Sequence, residues 1–250
     1  MRPDAASGRD ALDGDDSAAG VVRIEHARLV TAFTAARKLA ETHDPDRALE
    51  LIVRGAVTAV DGAERGGVSL SHRNGEVTSH APTDPGVAEL DGIQATLHQG
   101  PCVDAIWKAE IVDVPDMAGE GVRWPDFAPR AVELGVSSML SIRLFTDGNI
   151  LGALNLHSSR PRAFGPEAST VAELFGAHAT IALSGAQHAA RLNEALATRD
   201  LIGQGKGVLM QRYDIDADQA FGMLVNASQN SNMKLVEVVR WLIGNRGEIG

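Results

Sequence analysis

The sequence predicts an α+β fold: one antiparallel sheet with helices on its faces, then a long connecting helix, then an all-α three-helix module. Three observations lead there. Two hairpin signatures alternate with helical patterns between residues 24 and 185, nothing breaks a helix from Pro166 to Met210, and two capped amphipathic segments follow Met210.

Residues 1 to about 22 are rich in Asp, Ala and Gly and nearly free of large apolar side chains. They cannot offset the entropy of ordering, so residues 1–23 are expected to form a disordered acidic tail. Leu29, Phe33, Ala36 and Ala40 recur at three- and four-residue spacing and predict an amphipathic helix within 24–41. Asp44-Pro45-Asp46 starts a second helix, with Asp44 as its cap and Pro45 in its first turn. Its apolar face is Ala48, Leu49, Ile52, Val53, Ala56 and Val60. Alternation over Gly67–Ser71, an Asn74-Gly75 turn and a return over Val77–Ala81 give the first hairpin.

A helix over Asp84–His98 (Val87, Leu90, Ile93, Leu97), a short strand over Glu110–Pro115 and a helix over Phe127–Leu134 come next. The second hairpin joins Ser138–Phe145 to Ile150–Ser158 around Asp147-Gly148. From Pro166, the apolar positions Val171, Leu174, Phe175, Ile181, Leu192 and Leu196 keep helical spacing far past an ordinary globular helix. Such a stripe either packs on its own domain or pairs with a second chain, and the second alternative predicts a homodimer. Asp216-Ala-Asp-Gln219 forms a capping box that opens a helix expected to bury Ala220, Phe221 and Leu224. Asn232 is expected to cap the last helix, where Leu235, Val238, Val239 and Leu242 fall at i, i+3, i+4 and i+7.

Composition limits the function. The chain has 250 residues, 44% of them apolar, and a formal charge of −10. No window reaches the roughly 18 uninterrupted apolar residues of a membrane span, and the acidic N-terminus lacks a signal-peptide core, so a cytoplasmic protein without membrane contact is expected. One cysteine excludes an internal disulfide framework or a cysteine-rich zinc site. Residues 199–250 carry six bases and six acids, so residues 1–198 hold the whole deficit, 17 bases against 27 acids. That balance argues against a broad polyanion-binding surface, whose strength scales with the phosphates neutralised, and leaves room for a small shaped one.

His72, His80, His98, His157, His178 and His188 form no HExxH pattern, and no nucleophile elbow, Walker loop or GxGxxG is present. No metal site, cofactor, catalytic residue or enzymatic activity is expected. Cys102 is either a redox sensor or ligand contact, or a buried inert thiol, since reactivity requires exposure and a lowered pKa. Lys206 and Arg212 stand six residues apart on one helix, about 120° off a common face. Lys234 adjoins the loop over Ser228–Asn232, and Tyr213, at a helix end, either stacks on a base or fills the core.

The blocks Leu201-Ile-Gly-Gln-Gly-Lys-Gly-Val-Leu-Met-Gln-Arg, Asp218-Gln-Ala-Phe and Asn232-Met-Lys-Leu-Val-Glu-Val resemble the ANTAR domain, a three-helix RNA-binding module of bacterial antiterminators, over 199–244. Gly205 stands where that family commonly has alanine, which predicts a locally looser helix because glycine costs about 1 kcal/mol there. The preceding region looks like a GAF domain, in its order of elements and in His98-Gln-Gly-Pro-Cys-Val-Asp-Ala105 and Gly152-Ala-Leu-Asn-Leu156. Nothing resembles a phosphoacceptor receiver domain.

Behind the tail expected over 1–23, the chain is expected to divide into a GAF-like sensor (24–185), a helical, coiled-coil-like linker (186–198) and an ANTAR-like module (199–250). The resemblance further implies that Lys206, Arg212, Tyr213, Ser228, Asn232 and Lys234 contact the backbone and splayed bases of RNA hairpin loops, because specific RNA recognition targets unpaired loops. Cys102 and Asp104 would lie near the sensor pocket, whose effector, small molecule or protein, is unknown. The RNA would be a nascent leader whose bound form prevents a terminator hairpin. Some GAF proteins reduce free methionine sulfoxide, but that requires several cysteines. A protein-interaction and dimerisation module without direct RNA binding is the alternative.

Overall fold

The computed structural model describes residues 44–245, so the tail expected over 1–23 and the helix expected within 24–41 lie outside the described residues. The first described element is α1 (Pro45–Ala59), where Asp44 accepts from the Asp46 amide at 3.0 Å and Pro45 stands at the start. A hairpin follows, β1 (Arg65–Ser71) and β2 (Val77–His80), then α2 (Pro85–Leu97), α3 (Pro101–Trp107) and β3 (Ile111–Val114). A 3-10 turn (Met117–Val122) and α4 (Phe127–Glu133) lead into β4 (Ser138–Thr146) and β5 (Asn149–Ser158). The chain ends in α5 (Pro166–Tyr213), α6 (Ala217–Ser231) and α7 (Leu235–Gly244).

The five strands form one antiparallel sheet in the order β2-β1-β5-β4-β3. Alternation gives its faces opposite characters. Val68, Leu140, Ile142, Leu144, Leu154 and Leu156 point to α1 and the first part of α5, in a core with Leu49, Ile52, Phe175 and Ala179. The other face carries Met139 and Ala153 in a second core with α2, α3 and α4. It also carries four fully buried polar residues, Ser69, Ser141, Asn155 and His157.

Helix α3 was not legible as an element, since Pro101–Trp107 is only 7 residues long and, buried almost all round, shows no amphipathic repeat over its roughly two turns. Two compact units divide at Ala186, although α5 is one helix of 48 residues running from the first into the second.

Candidate nucleic-acid interface and sensor layer

In the second unit, Leu209 of α5, Ala220 and Leu224 of α6, and Val239 and Leu242 of α7 form a small core. Gly205 is part of that packing: a Cβ there would stand 2.7 Å from Val239 Cγ1. Glycine at 205 therefore admits valine at 239, and the propensity loss of about 1 kcal/mol is the cost of close helix packing. Gly205→Ala and Val239→Ala are expected to couple, the double variant being about 1 kcal/mol more stable than the sum of the singles requires. Thermal melts of the three variants measure that coupling.

The residues expected at RNA fall into three places. Lys206 is half-buried on α5. Arg212 and Tyr213 end the same helix, the guanidinium 5.9 Å from the tyrosine ring centroid. Tyr213 is half exposed, so its ring is not core. Asn232 and Lys234 lie between α6 and α7, whereas Ser228, expected in that loop, stands in the last turn of α6, which runs on to Ser231. Ser228 Oγ donates to the Met233 carbonyl at 2.6 Å, and Asn232, at φ 54°, closes α6 in the left-handed conformation that asparagine tolerates. Asn232 therefore ends α6 instead of capping α7. Lys234 precedes α7, its amide donating to Glu237 Oε2 at 3.3 Å.

Phe221 departs from the sequence expectation: it is 41% exposed. Ala220 and Leu224 alone supply the buried stripe of α6, and position 221 is turned about 100° away. The ring instead borders a shallow groove of about 570 Å³ on α5, with Arg191, Glu194, Thr198, Arg199 and Ile202. Sequence reasoning missed this groove because Phe221 stands 19 to 30 positions from the α5 residues beside it. Trp241 is also exposed, on α7.

In the first unit the His98–Ala105 motif builds a corner. His98 turns the chain at φ 52°, and Gln99 binds both the side chain and the amide of Asp126, through Nε2 to Oδ2 at 2.9 Å and Oε1 from N at 3.0 Å. Gly100 sits at φ 123° against Gln94, where a Cβ would stand 2.4 Å from Gln94 Oε1. Gln94 Oε1 accepts from the Cys102 amide at 2.9 Å. Burial pushes the Cys102 thiol up to about 12, helped by the charge of Asp91, so little thiolate forms at neutral pH. Asp104 is buried under Lys108 Nζ at 2.6 Å and Arg123 at 2.8 Å, and Arg123 lies 4.3 Å from the Trp124 ring centroid. Cys102 and Asp104 are thus buried residues of α3 itself, packed away from solvent.

Between α2 and the sheet runs a chain of polar groups that spacing alone could not reveal. Ser79 Oγ donates to Asp91 Oδ2 at 2.6 Å; Asn155 Nδ2 donates to Ser69 Oγ at 2.9 Å and Asp91 Oδ1 at 3.3 Å; Ser141 Oγ donates to Asn155 Oδ1 at 2.9 Å. Burial raises Asp91 to about 6 against the opposing pull of these hydrogen bonds. His157 is buried on the same face with neither ring nitrogen hydrogen-bonded. Burial, reinforced by the positive charge of Arg65, lowers it to about 3.

These two groups titrate with opposite sign. Asp91 binds its proton more tightly folded than unfolded, so its stabilisation is greatest below about pH 4 and is lost as pH rises to 6. His157 binds its proton more weakly folded, so stability falls as pH drops below about 6.5. Acidification from pH 7.5 to 5 therefore gains about 1–2 kcal/mol at Asp91 and loses about 2 kcal/mol at His157. Asp91→Asn is expected to expose the loss, becoming about 2 kcal/mol less stable over that interval while these two groups nearly cancel in the parent. Urea unfolding at both pH values checks it; parallel changes in parent and variant contradict it.

Among the described residues no group of three or more His, Cys, Asp or Glu is placed to hold a metal, and no helix is long and apolar enough to cross a membrane. No curated protein matches the chain. Among solved structures it is similar to the GAF domain of a phosphoenolpyruvate-protein phosphotransferase from Coxiella burnetii, 16% identical with a TM-score of 0.54, over 67% of this chain and 98% of that one. The corresponding domain from Acinetobacter is 13% identical, TM-score 0.51, over 66% and 98%. Free methionine-R-sulfoxide reductase from Neisseria meningitidis is 17% identical, TM-score 0.52, over 66% and 93%. At these identities the likeness is one of fold alone. The GAF domain family matches residues 42–184 and the ANTAR domain matches residues 190–243. The chain belongs to the GAF domain family and carries an ANTAR domain, the module of RNA-binding regulators, behind its sensor domain.

Proposed function

We propose that this protein is a cytoplasmic, homodimeric transcription antitermination regulator. Its GAF domain senses a small molecule or a partner protein, and its paired ANTAR modules hold hairpin loops of a nascent leader RNA. One observation carries this reading: a single helix begins in the sensor unit and ends in the ANTAR unit. A change of packing around its first turns would be passed on along the continuous helix, and a bias of a few kcal/mol between two helix arrangements is enough to switch RNA affinity. Pairing is supported by Leu192 and Leu196, which are 56% and 49% exposed one turn apart. In the sensor unit Leu174 and Ile181 are exposed seven residues apart on the same helix.

Lys206, Arg212 and Lys234 supply phosphate contacts in this reading, Ser228 and Asn232 polar contacts, and Tyr213 a stacking surface. Cys102 and Asp104 act as buried residues of α3, so an effector acts on them by moving that helix. The test is binding of the full chain to a two-hairpin leader RNA at fixed salt. Lys206→Ala with Arg212→Ala is expected to weaken binding by about tenfold or more and to flatten its salt dependence. Unchanged affinity in that variant, or no RNA binding by the parent, overturns the assignment and favours an interaction module.

A further inference from the structure

We propose that the groove between α5 and α6 is a pocket for one unstacked nucleotide of the bound RNA, an inference that rests on the RNA-binding reading above. The groove brings together the three chemistries a nucleotide needs. Phe221, 41% exposed, lines the groove and is an aromatic ring on which a base can stack. Arg199 makes no ion pair among the described residues, and the Arg191 side chain donates only to its own helix, Nε to the Gln187 carbonyl at 3.2 Å. Both guanidinium groups are available to phosphate oxygens. Glu194 and Thr198 line the same groove. A carboxylate there repels bare phosphate but accepts from the amino and imino groups of a base edge, which favours a nucleotide over a simple anion. A volume of about 570 Å³ admits a base with its sugar and phosphate.

A second copy of the chain is the competing occupant, and the helix periodicity assigns it elsewhere. Arg191, Thr198 and Ile202 share one face of α5, whereas Leu192 and Leu196 lie about 120° round it, with Arg199 on the border. Pairing through the leucines leaves Glu194 and Phe221 uncovered, so groove and pairing stripe can be filled at once.

The experiment compares the full chain with Phe221→Leu and Arg199→Ala against three probes: a two-hairpin RNA with unpaired loops, a duplex of the same stems without loops, and AMP. Phe221→Leu keeps apolar bulk but removes the flat ring. It is expected to weaken loop-RNA binding roughly tenfold and leave duplex binding unchanged. Arg199→Ala is expected to weaken it too, with the slope of log K against log salt shallower by about 0.7. Both variants should keep the parent's thermal midpoint and sedimentation coefficient. The proposal is overturned if both variants bind loop RNA as the parent does while Lys206→Ala, Arg212→Ala does not. It is overturned equally if their loss follows dissociation into monomers, or if AMP binding, and not RNA binding, depends on Phe221. A parent that binds no RNA removes the RNA-binding reading itself.

Discussion

Gly152→Ala is expected to destabilise the sensor domain by about 3 kcal/mol or more, lowering its thermal midpoint by roughly 6–12 °C. The reason is a backbone contact. A Cβ at position 152 would stand 2.0 Å from the Ser69 carbonyl oxygen and 2.9 Å from its carbon, both on the neighbouring strand β1. Flexible side chains can turn aside from such a clash; a paired strand cannot. Strand β1 is held by β2 on its other edge and by the Ser69–Asn155 hydrogen bond beneath it. Gly152 also follows a register shift between Leu144 and Phe145 on the opposite strand, so β5 is already bent where the alanine would enter. Thermal melts followed by far-ultraviolet circular dichroism measure the effect. A variant with the parent's midpoint would mean that β1 and β5 can spread locally without loss.

The same residue shows what was legible in the sequence and what was not. Gly152-Ala-Leu-Asn-Leu156 stands out as a block, and its alternating leucines identify a strand with one apolar face. The reasons for its glycine and its asparagine lie on other strands and on α2. Ser69 is 83 positions from Gly152, and the Asn155–Asp91 and Asn155–Ser69 bonds span 64 and 86 positions. Periodicity reports which face a side chain takes, so the strands, α1 and α2 were readable from spacing and capping residues. It cannot report the partner across the sheet, and the polar layer with Asp91 therefore has no signature. Phe221 failed for a related reason: Ala220, Phe221 and Leu224 fit a helical stripe, but α6 buries only a narrow part of it. At Gly205 the reading foresaw a looser helix, and Val239 supplies the packing that glycine permits.

Leu192→Glu with Leu196→Glu is expected to convert the proposed dimer into monomers and to reduce binding of a two-hairpin RNA to that of a single hairpin. Both leucines lie on a stretch of α5 where positions 187–197 are exposed all round in one chain. Two leucines one turn apart on such an exposed stretch are the apolar surface that the proposed pairing would cover. Burying a leucine contributes about 1.5–3 kcal/mol, and a symmetric pair of helices buries four of them. Replacing them by like charges facing one another removes roughly 6 kcal/mol or more, about four orders of magnitude in dissociation constant. Lys206, Arg212 and the α6–α7 turn are untouched, so affinity for one hairpin should hold while the linkage between two modules is lost. Sedimentation and RNA titration on the same samples separate these outcomes. A variant that remains dimeric shifts the pairing to Leu174 and Ile181, and the effector would then act on the interface from inside the sensor domain. A variant that is monomeric yet binds both hairpins as tightly as the parent removes pairing from the mechanism, leaving each ANTAR module to read its loop alone.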